Sequence, residues 1–336
     1  MYEAYFGLKE KPFTLLPDPT FLFLGRTHQE SLTMLEYGLA NQAGFTVLTG
    51  EIGSGKTTLV RHLLNQLGSD VRVGLITNTH ASLGSLMQWV LASFDLSYEP
   101  NEPLTLYNRF VDFLVTEYQS ARRVVLIVDE AQNMGREMLE ELRMLSNINA
   151  DKHLVLQIVL VGQPELLEIL RDPRLRQFAQ RISVNYHLDA LDANDTNRYV
   201  RYRLNIAGAT RSIFSDDALE VVFEVSRGIP RLINLVCDAA LVYAFGAQSS
   251  EVGAALIEEV VDDKVRTGLG LGGEIPALPR SQPLRAQPPA VSVDEVLPDP
   301  VDAIAPWDPT VPDASADDIE SDAGRARELF ANLRRS

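Results

Sequence analysis

Through residues 1–189, short apolar runs alternate with stretches whose apolar positions recur at helical spacing. Residues 46–49, 71–77, 124–128, 154–161 and 182–186 read as strands. The run Val124-Val125-Leu126-Ile127-Val128 is apolar throughout, as a strand buried on both faces must be. Residues 86–94, 106–118 and 137–148 read as amphipathic helices between them. Strand–helix alternation of this kind predicts a parallel sheet with helices on both faces, a three-layer α/β sandwich. Residues 1–40 are expected to form an N-terminal strap on this domain. Residues 190–266 switch to helical patterning alone. Ser215 before Asp216 and Asp217 reads as a helix start, Gly228 as a stop, and Pro230 as the first turn of the next helix. The expectation is an α/β domain at 1–189 followed by an α-helical lid at 190–266.

From Thr267 the pattern dissolves. Ten of the eighteen prolines lie between Thr267 and Ser336, with twelve acidic and six basic side chains. So few large apolar groups cannot offset chain entropy, and 267–322 is expected to be a disordered acidic linker. In 323–336, Ala326, Leu329, Phe330 and Leu333 return at helical spacing, consistent with a short helix that is a frayed end or a docking motif for a partner.

The clearest chemistry sits after the first strand, in Gly50-Glu51-Ile52-Gly53-Ser54-Gly55-Lys56-Thr57, followed by Thr58 and a helical run. Glycines at this spacing let several backbone N–H groups turn toward one point, and the next helix adds its positive end. This is the P-loop pattern. Residues 50–58 are expected to bind ATP, Lys56 to reach its β- and γ-phosphates, and the Thr57 hydroxyl to ligate Mg²⁺. The third strand ends in Asp129-Glu130. Asp129 is the second expected metal group, and Glu130 the base for the attacking water.

Two further positions and one arginine cluster are candidates. Gln163, at the end of the fourth strand, either positions water or phosphate beside the acid pair or merely opens the turn Gln163-Pro164-Glu165. Arg231, in Gly228-Ile229-Pro230-Arg231, either folds over the nucleotide or is a solvated helix-end arginine. Arg171, Arg174, Arg176 and Arg181 form a basic cluster from which Arg181, then Arg176, is the candidate finger into a neighbouring subunit. A solvated basic face is the plainer reading of the same four.

Charge narrows the partners. With 46 acidic and 30 basic residues the net charge is −16, which opposes broad attraction to nucleic acid or anionic lipid. One cysteine, Cys237, lies in an apolar run and reads as a buried structural thiol. The five histidines show no metal-ligand spacing. No run approaches the roughly 18–20 apolar residues of a membrane span, and the N-terminus lacks a signal-peptide pattern. The expected location is the cytoplasm, with any inner-membrane association made through partners.

The order of these motifs resembles AAA+ ATPases. More narrowly, Tyr5-Phe6-Gly7-Leu8, Lys11-Pro12-Phe13, Pro17-Asp18-Pro19, Gly44-Phe45-Thr46-Val47, Asp129-Glu130-Ala131-Gln132 and Val161-Gly162-Gln163-Pro164-Glu165 resemble the general secretion pathway protein A family and the related ATPases of exosortase and exopolysaccharide loci. The resemblance spans about residues 1–265. It implies an ATP-driven assembly factor for envelope secretion or polymer export, homo-oligomers with nucleotide at subunit interfaces, and an N-terminal segment near the adenine. It also implies secretion or polysaccharide-export components as partners. Members of the secretion family typically continue into a transmembrane helix and a peptidoglycan-binding domain, whereas this tail is acidic and proline-rich, which favours the exosortase-associated form. The alternative function is an ATP-dependent DNA-binding regulator similar to transposition ATPases; it shares the core motifs, and the net charge opposes it.

Overall fold

The computed structural model describes residues 1–16, 18–77, 84–99, 102–150 and 153–266. The expected linker at 267–322 and the helix at 323–336 lie outside the described residues.

Five strands, β1 (Phe45–Gly50), β2 (Val71–Ile76), β3 (Arg123–Val128), β6 (Leu156–Gly162) and β7 (Ile182–Leu188), form one parallel sheet in the order β2-β3-β6-β1-β7. Strand alternation divides its side chains between two faces. Phe45, Val47, Val124, Leu126, Val128, Ile158 and Leu160 pack against α4 (Leu86–Ser93), α5 (Pro103–Gln119), α6 (Gly135–Leu145), α7 (Glu165–Leu170) and α8 (Arg176–Ala179). Leu48, Val125, Ile127, Val159 and Val161 pack against α2 (Arg26–Ala40) and α3 (Lys56–Gln66). Both faces are covered, so the central strands β3 and β6 are buried along almost their whole length, and the expected three-layer sandwich is present.

The elements differ from expectation at their ends. Leu154 does not open the fourth strand of the sheet. It belongs to a separate two-residue hairpin, β4 (Asn149–Ala150) with β5 (His153–Leu154), and the sheet strand begins at Leu156. Helix α5 starts at Pro103, where a missing N–H costs nothing because the first-turn donors have no helical acceptors.

Helices α9 (Ala193–Ile206), α10 (Asp216–Ser226), α11 (Pro230–Gly246) and α12 (Ala254–Arg266) form the lid. Ser215 caps α10 by accepting from the Ala218 N–H, and Arg227 closes it in the left-handed region. Cys237 is fully buried in this lid, and burial pushes its thiol well above the ordinary range, as a structural thiol requires.

The N-terminal strap, expected from sequence as part of the 1–189 domain, packs with the lid instead of on the sheet. Tyr2 and Phe6, which flank or end the short helix α1 (Glu3–Phe6), are buried among α9–α12, as are Leu8, Phe13 and Phe21. Phe13 meets Phe214 edge-on at 6.1 Å, the Tyr2 hydroxyl donates to Asp238, and Arg203 donates through Nε to the Pro12 carbonyl at 2.5 Å. From Leu24 onward the segment packs with the sheet and its α2–α3 layer.

The chain returns from β7 to the lid across one tight contact. Gly228 has φ +75°, and a side chain there would begin 1.8 Å from the Leu191 carbonyl oxygen, so only glycine fits. The Leu191 N–H donates to the Gly228 carbonyl at 2.9 Å across the same approach.

If the strap is part of the lid core, Phe13→Ala will lower lid stability by about 3–5 kcal/mol, the usual range for emptying a buried aromatic site. Native-state hydrogen exchange should show faster exchange in residues 193–266 with the sheet strands little changed. Equal loss of protection in both would place the strap elsewhere.

Candidate nucleotide-binding site

The site forms at the carboxyl ends of β1, β6 and β3, where a parallel sheet opens its ligand crevice. β1 runs into the loop 51–55, and α3 begins at Lys56. Gly53 and Gly55 adopt φ +81° and +100°, which side-chain-bearing residues take only under strain. The backbone N–H groups of Gly55, Lys56, Thr57 and Thr58 meet no acceptor among the described residues. They are orphan donors of a helix start, gathered around one point. The Ser54 hydroxyl beside them is buried and also unpartnered.

Lys56 is almost fully buried, and its ammonium donates to the carbonyls of Gly50 at 2.7 Å and Glu51 at 2.9 Å. Burial draws its pKa below the ordinary lysine value, while Glu130, Asp129, Glu51 and Glu165 oppose that shift. Thr57 donates its hydroxyl proton to Asp129 Oδ2 at 2.7 Å, and Asp129 Oδ1 accepts the Glu130 N–H at 2.9 Å. A hydroxyl and a carboxylate brought together beside orphan amides suit a magnesium phosphate, because Mg²⁺ takes few protein ligands and fills its shell with phosphate oxygens and water. Among the described residues no cluster of three or more His, Cys, Asp or Glu offers a separate metal cage.

Glu130 sits at φ +54°, ψ +39°, opening the turn Ala131–Met134. Its Oε2 accepts from Gln132 Nε2 at 2.6 Å and from Gln163 Nε2 at 3.1 Å. The Gln132 side-chain oxygen Oε1 in turn accepts the backbone N–H of Gln163 at 3.1 Å. The three residues form a closed ring of hydrogen bonds bridging the ends of β3 and β6. Gln163 thus lies beside the acid pair. Gln132 is the residue that sequence reasoning misses: it shows only as the last member of Asp129-Glu130-Ala131-Gln132, with no spacing to mark its role.

The lid completes the cleft, which holds about 250 Å³ and is lined by Thr14, Leu16, Phe21, Ile52, Tyr199 and Asn234 as well as the loop. Arg231 lies on this lining with its side chain exposed, and its backbone N–H donates to the Gly53 carbonyl at 3.2 Å. Arg203 is buried 4.8 Å over the Phe21 ring and donates to the Tyr199 hydroxyl at 2.8 Å. Of the segment expected near the base, Thr14, Leu15, Leu16 and Asp18 line this cleft, whereas Phe6, Leu8 and Phe13 are in the lid core.

The arginine cluster is dispersed. Arg181 is partly buried and engaged within its own chain, donating to Ser146 Oγ at 2.8 Å and to Asn147 Oδ1. Arg174 pairs with Asp172, which also holds Arg136. Arg171 and Arg176 are exposed.

Loop, acid pair and sheet order together define a P-loop nucleotide-binding protein of the AAA+ kind. Residues 40–170 match the AAA domain family model. The ORC2 protein of Aeropyrum pernix superimposes with a TM-score of 0.58 at 18% identity, covering 76% of this chain and 72% of that one. Cdc6p of Pyrobaculum aerophilum gives 0.57 at 16% identity, covering 74% and 71%. At such identities the likeness is one of fold. General secretion pathway protein A of Aeromonas hydrophila is 43% identical over 253 residues, 75% of this chain and 46% of that protein. That likeness and the AAA domain match support an AAA+ ATPase of the general secretion pathway protein A family over this segment. The chain spans about half the length of the relative. No helix among the described residues is long and apolar enough to cross a membrane.

Gln132→Leu removes both bonds that Gln132 makes, leaving the partly buried Gln163 N–H without its acceptor. The expected cost is about 1–2 kcal/mol, read as a lower denaturant midpoint at unchanged slope. A midpoint equal to wild type would mean that the ring of bonds holds nothing in place.

Proposed function

We propose that this protein hydrolyses ATP and serves as an assembly factor or regulator of an envelope secretion or exopolysaccharide-export machine. The observation that carries the ATPase reading is the juxtaposition of the unpartnered amides of residues 55–58 with Lys56 on one side and the Thr57–Asp129 and Glu130–Gln163 pairs on the other.

In this reading the amides and Lys56 bind the β- and γ-phosphates, and the burial of Lys56 strengthens its pull on them. Thr57 directly, and Asp129 through water, would hold Mg²⁺, which screens phosphate charge when bound. Glu130 accepts a proton from the attacking water as the water oxygen bonds to the γ-phosphorus and the bond to the ADP oxygen breaks. Gln163 and Gln132 hold the Glu130 carboxylate, and Gln163 also orients the water. Arg231 moves with the lid and reads the γ-phosphate. The lid cleft takes the base between Ile52, Phe21 and Tyr199.

The secretion role rests on the Aeromonas relative, and the polymer-export form on the motifs that resemble the exosortase-associated ATPases. The proposed partners are further copies of this chain and components of the export machine. Lys56→Ala should abolish measurable ATP binding, and Glu130→Gln should retain ATP while slowing steady-state phosphate release by several orders of magnitude. Unchanged affinity in the first or unchanged turnover in the second would refute the corresponding role.

For hydrolysis across a subunit interface, Arg176 is better placed than Arg181, because Arg181 would have to abandon Ser146 and Asn147. Arg176→Ala should therefore lose turnover when assembled alone and recover part of it when mixed with Lys56→Ala subunits, which supply an intact arginine. No recovery on mixing would remove the finger from Arg176.

A further inference from the structure

His28 occupies the third position of α2 and is buried to 4% exposure, yet it lines the nucleotide cleft. Its Nε2 lies 3.0 Å from the Ser54 carbonyl oxygen of the phosphate loop. A carbonyl only accepts, so Nε2 carries the proton and Nδ1 does not. Burial draws the imidazole below its ordinary pKa, against the Ser54 bond and the Asp195 charge, which keeps it neutral. Nδ1 is itself buried with no partner among the described residues. The ring is therefore held by one bond, and that bond goes to the loop.

The consequence follows from peptide geometry. In a planar trans peptide the C=O and the following N–H point in opposite directions. Fixing the Ser54 carbonyl on His28 turns the Gly55 N–H the other way, and Gly55 is the first of the four unpartnered amides. The contact is close: a side chain on Gly55 would begin 3.1 Å from His28 Nε2.

The placement of His28 is in turn fixed from the lid. Asp195 on α9, itself buried, accepts the Arg26 N–H at 3.0 Å, at the first residue of α2. Its Oδ2 would lie 2.8 Å from a side chain on Gly25, which leaves little room there for anything but glycine. The Thr27 hydroxyl donates to the Asp189 carbonyl at 3.4 Å in the same turn.

We propose that His28 is a positioning residue of the phosphate loop: by donating to the Ser54 carbonyl it presets the Gly55 amide for nucleotide phosphate. This rests on the nucleotide reading of the site and adds to it a residue outside the loop motif. It also explains why a polar ring lies in an otherwise packed corner.

The test uses the full chain titrated with magnesium ADP by calorimetry. His28→Leu fills the space without a donor, whereas His28→Gln returns an N–H at about the reach of Nε2. With melting temperatures near wild type, His28→Leu should bind ADP about tenfold more weakly and His28→Gln within about twofold of wild type. Leucine binding as tightly as histidine, or glutamine failing as badly as leucine, overturns the proposal.

A second measurement needs no variant. Nitrogen-15 NMR of the free wild-type protein should show His28 protonated at Nε2 and bare at Nδ1, and the opposite tautomer overturns the contact. Wild type that binds no ADP would instead sink the nucleotide reading, while the tautomer still judges the loop contact.

Discussion

The phosphate loop is a stretch of main chain most of whose carbonyls are claimed by groups outside its own turn. Lys56 takes those of Gly50 and Glu51, Arg231 takes that of Gly53, and His28 lies on that of Ser54. A glycine-rich segment left alone samples many conformations and would lose entropy on closing around an anion. With the Ser54 carbonyl turned onto His28 the Gly55 amide faces the other way, and the amides of Lys56, Thr57 and Thr58 follow it as first-turn donors of α3. Preorganisation of this kind lets a ligand collect its hydrogen bonds without ordering the loop first.

The second constraint is the sharing of one core between strap and lid. Tyr2, Phe6, Phe13 and Phe21 come from the strap, and Phe214, Ile233 and Ile257 from the lid. The described chain thus starts in the lid, crosses to the sheet at Gly25, builds the loop, and returns to the lid at Leu191. The nucleotide cleft lies in the seam that both crossings frame. Arg203 joins the two by bonding Pro12 and covering Phe21, and burial of its guanidinium is supported by those contacts and by Tyr199.

What can be read from sequence is what is local. The P-loop and the Asp129-Glu130 pair are legible because strand, turn and helix follow one another directly along the chain, and apolar strand runs announce a sheet buried on both faces. The cap at Ser215 and the start at Pro230 are legible for the same reason. The allegiance of the strap is not, since Phe13 and Phe214 meet from opposite ends of the described chain and neither carries a periodic signal. His28 sits on the buried face of an ordinary amphipathic helix, where a histidine reads as filler. Gln132 shows only as the last member of Asp129-Glu130-Ala131-Gln132, with no spacing to mark it. Arg181 has the right residue type in a plausible place, but its side chain is engaged by the end of α6, which no spacing reveals.

Two hydrogen-bonded routes join the lid to the loop: Arg231 to Gly53 directly, and Asp195 through α2 and His28 to Ser54. Each route ends on a loop carbonyl: that of Ser54 shares its peptide plane with the unpartnered Gly55 amide, and that of Gly53 with the Ser54 amide, which donates to Glu51 and so acts on the loop's turn. Movement of the lid therefore cannot leave the amides untouched, and an anion seated on the amides cannot be indifferent to the lid. Thermodynamic linkage makes that coupling reciprocal. Net hydrogen bonds are worth about 0.5–1.5 kcal/mol each, so two routes give a coupling of about 1–3 kcal/mol, or roughly 5–150-fold in affinity between lid positions. That range lies well below the roughly 10⁴-fold needed to throw a two-state equilibrium fully across. A lid biased in this way is graded by the nucleotide, and its full displacement needs a contribution beyond these two contacts.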